Sequence, residues 1–188
     1  MANREHPTAG MSIAFVGGFN DAGGGRHSVA NFAAAAAELN PDAAVRFFAW
    51  NGMKSLSAWI RDPHIAIGVI GQSLGGYMAA RCALANPGRI GMLVTIDPVS
   101  PVSTLSPLDF TWEQLRDSVG YWLDVVQRRN RILALGANWW GEKPARFADG
   151  FVSTDFSHGD FFSTIAQLRK TGGLLPDSLN WNVQPRPQ

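Results

Sequence analysis

The sequence is short of charge, nearly free of cysteine and without a long apolar run, and each shortage removes a class of protein. Lysine plus arginine total 16 and aspartate plus glutamate 15, giving a formal net charge of +1 over 188 residues. That balance supplies neither the basic footprint of a nucleic-acid-binding surface nor a strong attraction to an anionic membrane. Cys82 is the only cysteine, which excludes an internal disulfide and any cysteine-based zinc cluster. It falls within an apolar helical pattern, where a thiol serves as a small packing group. No stretch approaches the ~20 consecutive apolar residues that cross a bilayer. The opening "MANREHPTAG" lacks the apolar core of a secretory signal. A cytoplasmic protein without an integral membrane segment is the expectation, with signal-independent export left open.

What is present is an alternation of strand and helix patterns. The hydrophobic fraction of 46% and charged fraction of 16% describe a globular chain, expected to form one domain over residues 1–188. "SIAFV" at 12–16, 45–50, "IAIGVI" at 65–70 and 92–96 are short apolar runs that suit parallel strands covered on both faces. Weaker strand signals lie at 120–126 and 151–154. Between them the alanine-rich stretch to Leu39, 54–60, 74–85 and 161–170 read as helices, with a helical turn at 112–115. The stretch 98–117 is rich in Ser, Pro and Thr, and 176–188 reads as an extended surface tail. Such alternation implies a three-layer α/β/α sandwich around a mostly parallel sheet of about six strands. Ligands in such sheets bind outside the carboxyl ends of the strands, so polar residues there carry the most information.

Gly71-Gln72-Ser73-Leu74-Gly75 fits G-x-S-x-G and stands between an apolar strand and a helix. A nucleophile on a sharp strand-to-helix turn needs minimal neighbours two residues away, because the backbone doubles back there. The bland alternative is a glycine-rich turn that only packs helix on sheet. Partners decide between them, since a serine hydroxyl needs a base and the base an orienting carboxylate.

Of four histidines, His6, His27, His64 and His158, only His158 follows Ser73, as the chain order Ser, acid, His requires. It sits in "STDFSHGDFF", between a candidate strand and a helix. Asp97 closes the strand "MLVTIDP" and is the favoured acid, with an Asx-type turn before Pro98 as its ordinary role. Asp124 and Asp155 are its rivals. "FVGGFNDAGGG" follows the first strand, where a backbone oxyanion donor belongs; Phe19 is the candidate, with Asn20 as a side-chain aid and Leu74 as the donor at the helix start. A phosphate-cradling loop is the rival reading, but neither nucleotide-binding glycine pattern can be placed on these residues. Trp59, Trp112, Trp122, Trp139 and Trp140 are read as packing residues without a catalytic role.

The elbow "GQSLGG", the loop "VGGFND", then "TIDP" and "SHGD" in that order resemble the α/β-hydrolase superfamily over about residues 12–170. The likeness is strongest to small bacterial lipase- or esterase-like serine hydrolases in which the acid follows the next strand after the nucleophile. That resemblance implies Ser73 as nucleophile, Asp97 as acid, His158 as base, and Phe19 and Leu74 as oxyanion donors, with no cofactor and no metal. The sequence departs from that family in having only eleven residues before Ser12, too few for the two strands that often precede the glycine loop. The expectation is therefore a minimal six-stranded sheet of local order 2-1-3-4-5-6, and the short interval after Asp97 leads to the expectation of no cap domain. Gly17 stands where many relatives have histidine. The stretch "VSPVSTLSPLDF" has room for a small flap only, and an open site suits a small-molecule or lipidic ester or thioester. The expected activity is hydrolysis through an acyl-enzyme; the alternatives are acyl transfer and a non-catalytic binding module on a hydrolase scaffold. Oligomeric state is not indicated.

Overall fold

The structure, a computed structural model, describes residues 11–19, 21, 28–62, 66–101, 110–129, 138–171, 175 and 180–183. Asn20, His6, His27 and His64 lie outside these residues, as does 102–109, most of the expected flap.

Among the described residues six strands form one parallel sheet: β1 (Met11–Val16), β2 (Val45–Phe48), β3 (Ala66–Gln72), β4 (Ile90–Ile96), β6 (Val119–Arg129) and β8 (Gly150–Ser157). Their order is β2-β1-β3-β4-β6-β8. Two short strands, β5 (Val99–Ser100) and β7 (Asn138–Trp139), pair antiparallel in a separate ribbon. Leaving that ribbon aside, the order is the expected 2-1-3-4-5-6.

The apolar runs are continuous because both sheet faces are covered. Along β1, Ile13 and Phe15 meet one layer while Ala14 and Val16 meet the other, the period-2 alternation of a strand. The first layer contains α1 (Val29–Leu39) and α5 (Phe161–Lys170), with Phe15, Phe32 and Phe161 in mutual edge-on or tilted contact. The second contains α2 (Met53–Ile60), α3 (Leu74–Ala85) and α4 (Trp112–Asp117). Ser28 caps α1 by accepting the Asn31 N–H, and Thr111 and Gln114 form a reciprocal capping box on α4, each satisfying N–H groups that a helix cannot pair internally. Cys82 is fully buried in the α3 layer, and burial pushes its thiol up to about 11.

Two expectations change. The third strand runs two residues beyond Ile70 to Gln72, so pairing with β4 continues up to the turn that carries Ser73. The tail is more than a surface strap: Trp181 and Val183 are buried in the α1/α5 layer, with Trp181 edge-on to Phe15. Asn40, closing α1, exchanges hydrogen bonds with the Asn180 backbone and holds that segment in place.

Candidate active site

The turn between β3 and α3 is built by sterics. Ser73 has φ 55° and ψ −127°, a left-handed conformation that a β-carbon resists. A β-carbon on Gly71 would meet the Gly75 carbonyl oxygen at 2.5 Å, and one on Gly75 would meet the Gly17 carbonyl oxygen at 2.6 Å. Both positions therefore require glycine. The Ser73 N–H donates to Ile96 O at 2.9 Å, and the Val99 N–H donates to Ser73 O at 3.2 Å. The serine is thus stitched to the end of β4 on both sides of Asp97.

Asp97 is fully buried, with φ 47°. Its own N–H donates to Val125 O at 2.7 Å, which seats the acid between β4 and β6. Its Oδ2 lies 2.5 Å from His158 Nδ1. A carboxylate only accepts, so Nδ1 carries the proton, and in the neutral imidazole Nε2 is then the acceptor. His158 stands in the loop from β8 to α5, its side chain 16% exposed. Among the described residues no hydrogen bond joins Ser73 Oγ to His158, a contact that commonly tightens only when substrate binds.

The β1 loop comes up beside the serine. A β-carbon at Gly18 would be 3.1 Å from Ser73 Cβ. Two N–H groups of this loop are already engaged: Gly17 donates to Phe48 O at 3.0 Å and Gly18 to Asp21 Oδ2 at 2.6 Å. The next N–H along the loop is that of Phe19. Asp21 also accepts from the Val29 N–H at 3.0 Å, so one carboxylate folds the glycine loop and anchors the start of α1. Leu74 opens α3 immediately after the serine, where helix N–H groups lack internal partners and the dipole favours negative charge.

The rival acids fall elsewhere. Asp155 is exposed. Asp124 lies inside the sheet opposite Thr95, whose hydroxyl donates to it at 2.6 Å while accepting from the Trp122 indole at 2.9 Å. Burial pushes the Asp124 carboxyl up to about 8, opposed by the Thr95 hydrogen bond and assisted by the charge of Asp97. Burial therefore favours its neutral form.

Trp139, the Gln72–Gln127 pair and Asp21 are three further contributors to which the sequence patterns assign no role. Trp139, read there as packing, donates its indole N–H to Asp97 Oδ1 at 2.6 Å. Gln72, beside the serine, donates to Gln127 at 3.4 Å. Gln127 in turn donates to Asp160 O at 3.3 Å and Thr164 Oγ1 at 2.8 Å, which ties the elbow to the loop holding His158. Asp21 is the third. Trp139 and Asp97 are separated by 42 residues, and no periodicity or motif marks such a pairing. Among the described residues no group of three His, Cys, Asp or Glu side chains is arranged to hold a metal ion, and no helix is long and apolar enough to cross a membrane.

No protein-family model matches the sequence, and no curated protein matches it either. Solved structures do match. A serine hydrolase involved in carbazole degradation aligns with TM-score 0.58 at 9% identity, covering 89% of this chain and 92% of that one. An α/β serine hydrolase without a lid, from Xanthomonas campestris, gives 0.52 at 16% identity over 89% and 83%. An extracellular α/β-hydrolase from a Paenibacillus species gives 0.52 at 9% identity over 87% and 99%. At these identities the likeness is one of fold, and the fold of this chain is that of the α/β-hydrolases.

Proposed function

We propose that this protein is a serine hydrolase that cleaves carboxylic ester or thioester bonds through an acyl-enzyme. The observation that carries the reading is the 2.5 Å contact between Asp97 and His158, at the sheet edge where the elbow presents Ser73. In this reading His158 Nε2 takes the Ser73 proton as Oγ attacks the acyl carbonyl. The oxyanion is held by the Phe19 and Leu74 N–H groups, and the imidazolium then protonates the leaving alkoxide or thiolate. Water attacks the acyl-enzyme by the same route in reverse, with His158 as base and Ser73 as leaving group. Asp97 keeps Nδ1 protonated and the ring aimed, and stabilises the transient imidazolium. The reaction needs no metal or organic cofactor. Solved hydrolases of the same fold support the reaction class, and the one described as lacking a lid supports an open site.

A binding module on a hydrolase scaffold has no need of a buried carboxylate engaged with a histidine, so the contact weighs against that alternative. A fluorophosphonate probe is expected to label wild-type protein at Ser73 and to leave Ser73→Ala unlabelled. Folded wild-type protein that neither labels nor hydrolyses short p-nitrophenyl esters or thioesters above the Ser73→Ala background would overturn the proposal. Product analysis with added alcohols or amines separates hydrolysis from acyl transfer.

A further inference from the structure

The triad reading accounts for one oxygen of Asp97. The other, Oδ1, faces the Trp139 indole N–H at 2.6 Å. We propose that Trp139 is a positioning residue of this site, one that locks the Asp97 carboxylate and tunes the charge it presents to His158; the inference rests on the serine-hydrolase reading above.

The argument begins with the carboxylate. Asp97 is fully buried, where an ionised carboxylate needs hydrogen-bond donors to replace water. His158 engages Oδ2, and the terminal torsion of a carboxylate is broad and poorly restrained by itself. A donor on Oδ1 narrows the orientations the group can take. An indole N–H is well suited, because it only donates and cannot take the proton that His158 must keep on Nδ1.

The local structure holds the indole in place. β7 pairs with β5 with Trp139 opposite Val99, and the Trp140 N–H donates to Pro98 O at 3.1 Å. The segment bearing Trp139 is therefore bonded to the residues just after Asp97. Trp140 donates its indole N–H to Ser100 at 3.1 Å and packs edge-on against Trp112 at 4.8 Å. Trp140, directly after β7, is buried and anchors the ribbon in the core while the Trp139 indole addresses Asp97. Gly141, at φ 57°, lies against the Trp139 ring, where a β-carbon would sit 3.3 Å from it.

Trp139→Phe keeps most of the ring and removes the N–H. On a p-nitrophenyl ester its kcat is expected to fall about tenfold with KM unchanged, the scale of one hydrogen bond to a charged group. Without the indole, more of the carboxylate charge faces the imidazolium and stabilises it, so the acid limb of the kcat/KM profile moves to higher pH. Asp124, Asp155 and Asp160, the other carboxyls on β6 and around the histidine loop, are unchanged by the substitution. Folded Trp139→Phe with wild-type kcat, with a change in KM alone, or with reduced kcat and an unmoved acid limb overturns the assignment.

The contact has a second readout that needs neither the variant nor turnover. In wild-type protein the Trp139 indole N–H resonance should titrate with His158, because both groups share one carboxylate. An indole resonance that ignores the His158 titration also overturns the inference. A wild-type protein that shows the indole titration yet does not label at Ser73 overturns the hydrolase reading while leaving the contact intact.

Discussion

Asp97 Oδ2 and His158 Nδ1 stand 2.5 Å apart although 61 residues separate them in the chain. The sheet order makes this meeting possible, because β4, β6 and β8 are consecutive neighbours. Asp97 follows the end of β4 and His158 the end of β8, and both are tied to β6: the Asp97 N–H donates to Val125 O, and Gln127 donates to Asp160 O. Asp97→Asn is expected to retain the fold and to lower kcat by about 10⁴-fold, because an amide donor facing Nδ1 reverses the tautomer. Loss of less than tenfold would mean that Asp97 does not orient the base.

Asp124 is expected to imprint a pH dependence on stability and not on the choice of acid. Its folded-state pKa, pushed up to about 8 by burial, lies above the ~3.9 of an unfolded aspartate. Between those values the native state holds a proton that the unfolded chain has lost. The group's contribution to stability is therefore present below the lower value and lost as pH rises through the upper one, by at most about 1.4 kcal/mol per pH unit. Urea unfolding of wild type and Asp124→Asn at pH 5, 6.5 and 8 checks this. The stability of the variant relative to wild type should increase with pH, and a constant difference sinks the prediction.

Gly75→Ala tests the sterics of the elbow. The added methyl collides with the carbonyl oxygens of Val16 and Gly17, so the β1 loop and α3 must separate. Overpacking of this kind costs about 1–3 kcal/mol. Thermal unfolding should register the loss, accompanied by reduced probe labelling at Ser73. A variant as stable and as reactive as wild type would contradict the close approach.

Trp181 carries the tail. Burial in the α1/α5 layer against Phe15 predicts that Trp181→Ala costs about 3–5 kcal/mol, the range for removing a buried tryptophan. A change below about 0.5 kcal/mol, as expected of a surface position, would mean that the tail is not docked in solution.

The central strands were legible because parallel strands covered on both faces are largely apolar, a signature that neighbouring residues write by themselves, and the strand ending at Ile96 illustrates it. The helix 161–170 and the glycine spacing about Ser73 are likewise local signals. The extension of β3 to Gln72 was not legible, because a glycine and a glutamine lack apolar character and are held by pairing with β4. In the tail, proline and asparagine set the local signal, while the burial of Trp181 depends on a surface supplied by β1 and α1.

By itself the sequence determined the layered α/β plan, the strand-to-helix turn at Ser73 and the chain order of serine, acid and histidine. These follow from steric and hydrophobic rules acting over a few residues. Only the tertiary structure decided that Asp97 and not Asp124 meets His158. It likewise decided that Asp124 is driven towards its neutral form and that Trp139 grips the second oxygen of the acid. Each of those outcomes depends on desolvation and on donors from distant segments, quantities that exist only once the strands have taken their places.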